Sequence, residues 1–263
     1  LMQAWQQALP DLSVPPLPGM NPPLWEWGHI GWFQEWWTLR NPQRHRGSQG
    51  PSSGDDWGHS LMPGADAFYN SSVVAHDSRW SLALPELARV RQYLTDTLQA
   101  SLGCLQALPE ASDDDLYFWR LALQHEAMHN EASVYMAQAL GVHLPSHLCQ
   151  RQGPGQARPH PHSEASVDHA LLAATKTPAS KPAAEVQICV PAQVWTLGHQ
   201  GTGYAFDNEC PAHPVTLAAF TLDAQPVTWA RYLPFLQDTG YALPPHVRCV
   251  QGLWQVQQFG HWY

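Results

Sequence analysis

The stretch LALQHEAMHNEASVYMAQALG, residues 121–141, places His125, Glu126 and His129 where a metal site could form. Histidines four apart leave the same face of a helix, so both rings can reach one ion. The order H-E-x-x-H is that of a zinc-peptidase helix, in which the glutamate serves as the base. The same residues also read as H-x-x-x-H-x-E, with Glu131 placed to orient a ligating histidine. A satisfied pair of core histidines is the third reading, because the face they share also carries Phe118, Leu121, Ala122, Ala132 and Met136. An imidazole buried in such a seam needs a partner, since an unpaired buried polar group costs a few kcal/mol.

The residues that follow argue against a peptidase. NEASVY supplies neither the glycine nor the third histidine of the longer zincin pattern, and the chain then runs to Gly141. A third ligand is available upstream. His29 lies in NPPLWEWGHIGWFQEWW, with Trp25, Trp32 and Phe33 one turn away. On a bundle, His29, His125 and His129 would make a three-histidine face from two helices.

The elements needed to hold that face are legible. Met2, Trp5 and Leu9 mark a short amphipathic start. A second helix is expected from Pro22-Pro23 through Leu39, with proline in its first turn. A third follows Pro85, its apolar face formed by Leu87, Val90, Leu94, Leu98, Leu102 and Leu105. A fourth starts at a Ser112/Asp115 capping box and stops at Gly141. Residues 41–80, rich in Gly, Ser, Pro and Asp, are expected to form a long loop across one end. The reading is a four-helix bundle over 1–145, a Pro/Ala/His-rich linker over 146–185, and a second, mixed α/β domain over 186–263. In that domain VQICVPAQVWTLG and the run from Phe206 give strands, and a helix enters at Thr228. Both ends look cut, so the second domain is expected to be incomplete.

Bulk properties set the outer bounds. The formal net charge is −9, with charged residues at 13% and Lys176 and Lys181 as the lysines. That excludes the clustered basic surface that nucleic acid or an anionic membrane would require. Five cysteines, widely spaced and without C-x-x-C, suit a reduced, cytoplasmic setting. No apolar run approaches the ~20 residues of a membrane span. Thirteen tryptophans and fifteen histidines leave ample material for aromatic walls and metal ligands.

NPPLWEWGHIGWFQEWW and ALQHEAMHNE resemble the DinB-like bundle of the ergothioneine sulfoxide synthase group. VWTLGHQGTGYAFDNECPAHPVTLAAFTLDAQPVTWARYLPFLQDTGY is similar to the start of a formylglycine-generating-enzyme-like domain, of C-type-lectin type. FYNSSVVAHDSRWSLALP resembles the selenoneine synthase branch of that group.

The resemblance implies Fe(II) held by His29, His125 and His129, with O2 as co-substrate. The reaction implied is C–Se bond formation between a selenosugar and hercynine, which is N-trimethylhistidine. Carbon–sulfur bond formation with cysteine or γ-glutamylcysteine is the neighbouring alternative, and a non-catalytic DinB-type metal-binding protein the more distant one. The substrate's trimethylammonium calls for aromatic faces, for which Trp25, Trp32 and Trp36 are available. Arg79 matches a stretch that holds donor carboxylates in the sulfur-using relatives. Met128 stands where those relatives tend to have glutamine, implying a differently built pocket. Glu131 is expected beside a ligating histidine, Glu126 in ordinary helix duty, and His76 is a minor candidate. The family's proton-donating tyrosine belongs later in the second domain, so Tyr241 and Tyr263 are not assigned to it.

Overall fold

The computed structural model describes residues 1–49, 57–108, 110–145, 186–201 and 203–263. The expected linker over 146–185, with its His160 and His162, lies outside the described residues. The chain divides into two compact units: residues 1–149, 198–212 and 249–263 form one, and residues 150–197 and 213–248 the other.

Six helices are described. They are α1 (Met2–Ala8), α2 (Pro23–Glu35), α3 (Ala65–Tyr69), α4 (Leu87–Gln106), α5 (Asp113–Leu140) and, in the second unit, α6 (Trp229–Thr239). Helix α2 is buried on almost every side, including Trp25, Trp27, Gly28 and Trp32, as expected of a segment without a polar face. Pro23 sits in its first turn, where a missing N–H costs nothing. Its continuation, Trp36–Arg40, winds as a π-helical turn, with the Thr38 hydroxyl donating to the Gln34 carbonyl.

Helix α5 is punctuated at both ends as its sequence directs. Ser112 and Asp115 exchange both capping-box bonds. At the other end Gly141, at φ 68°, bonds to Gln138 O while Val142 N–H reaches Ala137 O, the paired bonds of a Schellman stop. Gly141 also lies against Gly260. A Cβ on Gly260 would come within 2.8 Å of the Gly141 carbonyl oxygen. The Gln138 side chain fixes that approach by bonding the backbone of both Gln257 and Phe259.

The core of this unit has two parts. Trp5, Trp27, Val90, Met136, Ala137 and Leu144 join α1, α2, α4 and α5. Trp25, Trp32, Met62, Ala65, Tyr69 and Tyr93 join α2, α3 and α4.

Two expectations are corrected here. Residues 41–80 are not a plain loop. They contain α3 and the 3-10 turns Arg44–Gln49 and His76–Trp80. Helix α4 buries only the first half of its expected stripe. Val90 is buried and Leu87 and Leu94 pack on the core, but Leu98 and Leu102 are exposed, and Tyr93, Thr97 and Ser101 face inward instead. One position along a helix turns the face by about 100°. The register follows the polar partners on α2: Tyr93 O–H donates to Glu35, and the Ser101 and Thr38 hydroxyls pair at 2.9 Å. Leaving those buried groups unmatched costs more than exposing leucine edges.

The second unit is built from strands and α6. Strand β1 (Gln187–Val190) pairs antiparallel with β4 (Phe220–Asp223), and β2 (Gln193–Leu197) with β3 (His213–Leu217). Helix α6 is entered at Thr228 as the sequence indicated, and Gly240 ends it at φ 65°. Strand β5 (Val247–Val250) spans the boundary at residue 248; β6 (Leu253–Gln258), which pairs antiparallel with β7 (His261–Trp262), belongs to the first unit. Among the described residues no helix is long and apolar enough to cross a membrane.

Candidate metal centre

His29 on α2 meets His125 and His129 on α5. One ring nitrogen from each lies within 4.8 Å of the others, and ring centroids are 5.0 Å, 5.1 Å and 4.4 Å apart. Each ring is held differently. His29, only 4% exposed, donates Nδ1–H to the Tyr69 carbonyl at 2.8 Å and stacks against Trp25 at 4.8 Å. That bond fixes the proton on Nδ1 and leaves the Nε2 lone pair for another partner. His129 points Nδ1 at the carboxylate of Glu26, which accepts its proton. His125 lies flat on Phe33, with ring centroids 3.6 Å apart and planes within 6°.

The donor set fits a metal. Nε2 of His129 lies 3.1 Å from Nε2 of His125. With the His129 proton spent on Glu26, its lone pair faces that of His125 unless a proton or cation sits with them. Burial pushes His29 down to about 4, against the raising effect of its Tyr69 bond. Burial, then the neighbouring His129 and His29, pushes His125 down to about 2. Both are therefore neutral at physiological pH, the form in which an imidazole can bind a divalent cation. Among the described residues this is where three or more potential ligands gather.

The other residues singled out from sequence are placed as follows. Trp25 and Trp32 are buried on either side of His29, donating their indole N–H groups to Phe68 O and to Asp66. Arg79 stacks over Trp25 at 3.9 Å and donates to the Asn21 side chain at 2.6 Å. His76 is occupied by Met20 O and Asp77. Met128 is 55% exposed, and Glu126 and Glu131 are exposed as well. The carboxylate that meets a histidine is Glu26, not Glu131.

Glu26 and the Tyr69 carbonyl had escaped the sequence reading. A signal for Glu26 was there: a single acid inside the aromatic run LWEWGHIGW, one turn before His29, on a helix with no polar face. The Tyr69 carbonyl had no signal, because it depends on α3 docking against α2. A cavity of about 570 Å³ lies further along α2, lined by Trp36, Arg40, Trp57 and Asp66. His59 also lines it, whereas His29, His125 and His129 do not.

Residues 174–262 match the family described as "Sulfatase-modifying factor enzyme 1-like domain". Most of the chain is similar to proteins named hercynine oxygenase. That of Mycolicibacterium smegmatis is 30% identical over 232 residues, covering 86% of this chain and 45% of the relative. Those of Mycolicibacterium thermoresistibile and Mycobacterium tuberculosis are also 30% identical, covering 85% of this chain and 42% and 44% of theirs. The chain thus spans less than half the length of the curated relatives it matches.

Proposed function

We propose that this chain carries the metal-binding part of a mononuclear non-haem iron enzyme acting on hercynine with O2. The observation behind this reading is the His29–His125–His129 cluster, with two Nδ1 protons committed outward and the Nε2 atoms turned together. The similarity to hercynine oxygenases supplies the substrate class. Fe(II) held by neutral imidazoles keeps its full charge, and supplies Lewis acidity toward a soft donor and redox capacity toward O2.

The finer reading is C–Se bond formation with a selenosugar. Replacing an imidazole C–H and a selenol Se–H by a C–Se bond releases two electrons and two protons, and O2 is the acceptor. Arg79 supports a sugar donor over a dicarboxylate thiol. Its guanidinium already carries Trp25 on one face and Asn21 on one edge, which leaves it poorly available as a carboxylate clamp. What the protein's own residues do is hold the three rings, keep their lone pairs convergent, and surround His29 with Trp25 and Trp32 so that water has little access to it.

The test is oxygen uptake by the anaerobically Fe(II)-loaded protein with hercynine and, separately, a selenosugar, cysteine and γ-glutamylcysteine. Uptake that needs hercynine and the selenosugar together is the expected result. Turnover with thiols alone would replace selenium by sulfur in this reading. Uptake with none of them, despite bound iron, would leave a metal-binding protein without this chemistry.

A further inference from the structure

Around His129 runs a chain of hydrogen bonds that converges on the Glu26 carboxylate from both ends. The Arg79 guanidinium donates to Oδ1 of Asn21 at 2.6 Å. The Asn21 amide N–H then donates to Oε1 of Glu26 at 2.5 Å. The other Glu26 oxygen accepts the Nδ1 proton of His129. Arginine has no acceptor and glutamate, ionised, has no donor, so neither end can be reversed. An asparagine taken alone could face either way; Arg79 fixes its oxygen outward and its N–H toward Glu26. Glu26 is 2% exposed and enters from α2, while His129 stands on α5 and Arg79 on the His76–Trp80 turn. Three separate segments thus converge on one proton.

We propose that Arg79, Asn21 and Glu26 form a positioning relay that holds the His129 proton on Nδ1 and so keeps Nε2 open as a ligand atom. Arg79 acts in it as a positioning residue, through Asn21, and its contact with Trp25 keeps the guanidinium in place. The proposal rests on the metal reading above for its purpose, but the proton placement can be read without any metal. The polarity of the chain also gives a sharp consequence. In Glu26→Gln the Asn21 N–H still demands an oxygen, so the new amide nitrogen turns to His129. An N–H there needs Nδ1 as an acceptor, which moves the proton to Nε2, the nitrogen the ion needs.

Long-range proton–nitrogen NMR of metal-free, nitrogen-15 histidine-labelled protein reads the tautomer directly. The expected result is Nδ1–H for His129 in the wild type, Nε2–H in Glu26→Gln, and a mixture in the Glu26→Gln/Arg79→Ala double variant, where Asn21 is free to turn over. A thermal melt identifies any variant that fails to fold, and the remaining variants then decide. Co(II) titration followed by visible absorption reads the consequence: affinity falls about 10–100-fold in Glu26→Gln, as for loss of an outer partner of a metal-bound histidine, and about threefold to tenfold in Arg79→Ala. An unchanged Nδ1–H tautomer in Glu26→Gln, or an unmixed Nε2–H tautomer in the double variant, overturns the relay. Wild-type protein with the expected tautomers but no Co(II) binding overturns the metal reading and leaves the relay standing. Arg79→Ala that changes only the KM for substrates, with tautomer and Co(II) affinity intact, makes Arg79 a substrate contact and overturns its place in the relay.

Discussion

Helix α2 buries two glutamates, Glu26 and Glu35, and they are buried for opposite ends. Glu35, 1% exposed, accepts from the Ser60 hydroxyl at 2.6 Å, from Leu61 N–H and from the Tyr93 hydroxyl. All three donors are neutral groups that cannot usefully give up their protons; burial first, and then the Glu35 charge, pushes the Tyr93 phenol further up still. Glu35 therefore staples the segment around Ser60 and helix α4 to α2, and its hydrogen-bonding capacity is filled by structure. Glu26 spends one oxygen on a neutral amide and the other on a histidine whose second nitrogen is turned toward two more histidines. Burial alone does not distinguish a structural carboxylate from one that serves a site. What distinguishes them is whether the partner has somewhere else to act.

The largest expected effect breaks the site side of that contrast. His125→Ala removes a proposed ligand that stacks on Phe33 and meets the other two histidines, so Co(II) or Fe(II) affinity should fall by at least about 100-fold, beyond the loss of an outer partner. Its melting temperature should stay near that of the wild type or rise, since a buried polar ring goes with it. A large loss of stability with metal affinity preserved would mean that the cluster is a packed histidine core.

Glu35→Gln should do the reverse. One amide replaces a carboxylate that three donors face, so a donor is left opposed by a donor, at about 3 kcal/mol in urea denaturation. Metal affinity per folded molecule should be unchanged. A matched loss of affinity would show that the two carboxylates belong to one network and would dissolve the comparison.

Gly28→Ala touches the seam between the two. A Cβ at Gly28 would fall 2.2 Å from the Tyr69 ring, so α3 must move. Overpacking of this kind costs about 1–3 kcal/mol. Because Tyr69 carries the carbonyl that orients His29, affinity for the metal should fall along with stability. Stability loss without any change in affinity would show that the Tyr69 bond does not set the His29 ring.

These residues also mark where the sequence was readable. Local rules wrote the helices plainly: the Ser112 capping box, the Gly141 stop and the Pro23 first turn are each decided by neighbours in the chain, and all are present. His125 and His129 could be paired on spacing alone. The inward face of α4 was misread because its register answers to Glu35 and Thr38 on another helix, which no periodicity within α4 encodes. Helix α3 was missed for a similar reason: its five residues, ADAFY, have little helix-forming pattern and are fixed by Trp25, His29, Trp32 and Arg40 from α2. The partners of a histidine are long-range facts, and so Glu26 was passed over for Glu131, the acid nearer in sequence.

Asp66 supplies the smallest effect and the last check on the contrast. It sits at the edge of the aromatic core, taking two bonds from Arg40 at 2.7 Å and 3.0 Å and one from the Trp32 indole at 2.7 Å. The Arg40 hydrogen bonds hold its carboxyl below the usual range, more than burial raises it. A group with a depressed folded-state pKa contributes stability above its unfolded value, near about 3.9, and loses it as pH falls through the folded one. The side chain of Asp66 is half exposed, so solvent screening limits the contribution to about 0.5 kcal/mol. Asp66→Asn should therefore be less stable than the wild type at pH 7 by about that amount, with the gap closing as the medium is acidified below about pH 4. Unfolding curves in urea at pH 7, 5 and 3 measure it. Since Asp66 reaches the site only through Trp32, metal affinity at neutral pH should not change. A gap that persists at the lowest pH would show that the amide fails by shape and not by charge, and would place Asp66 with Glu35 among the residues whose partners have nothing further to do.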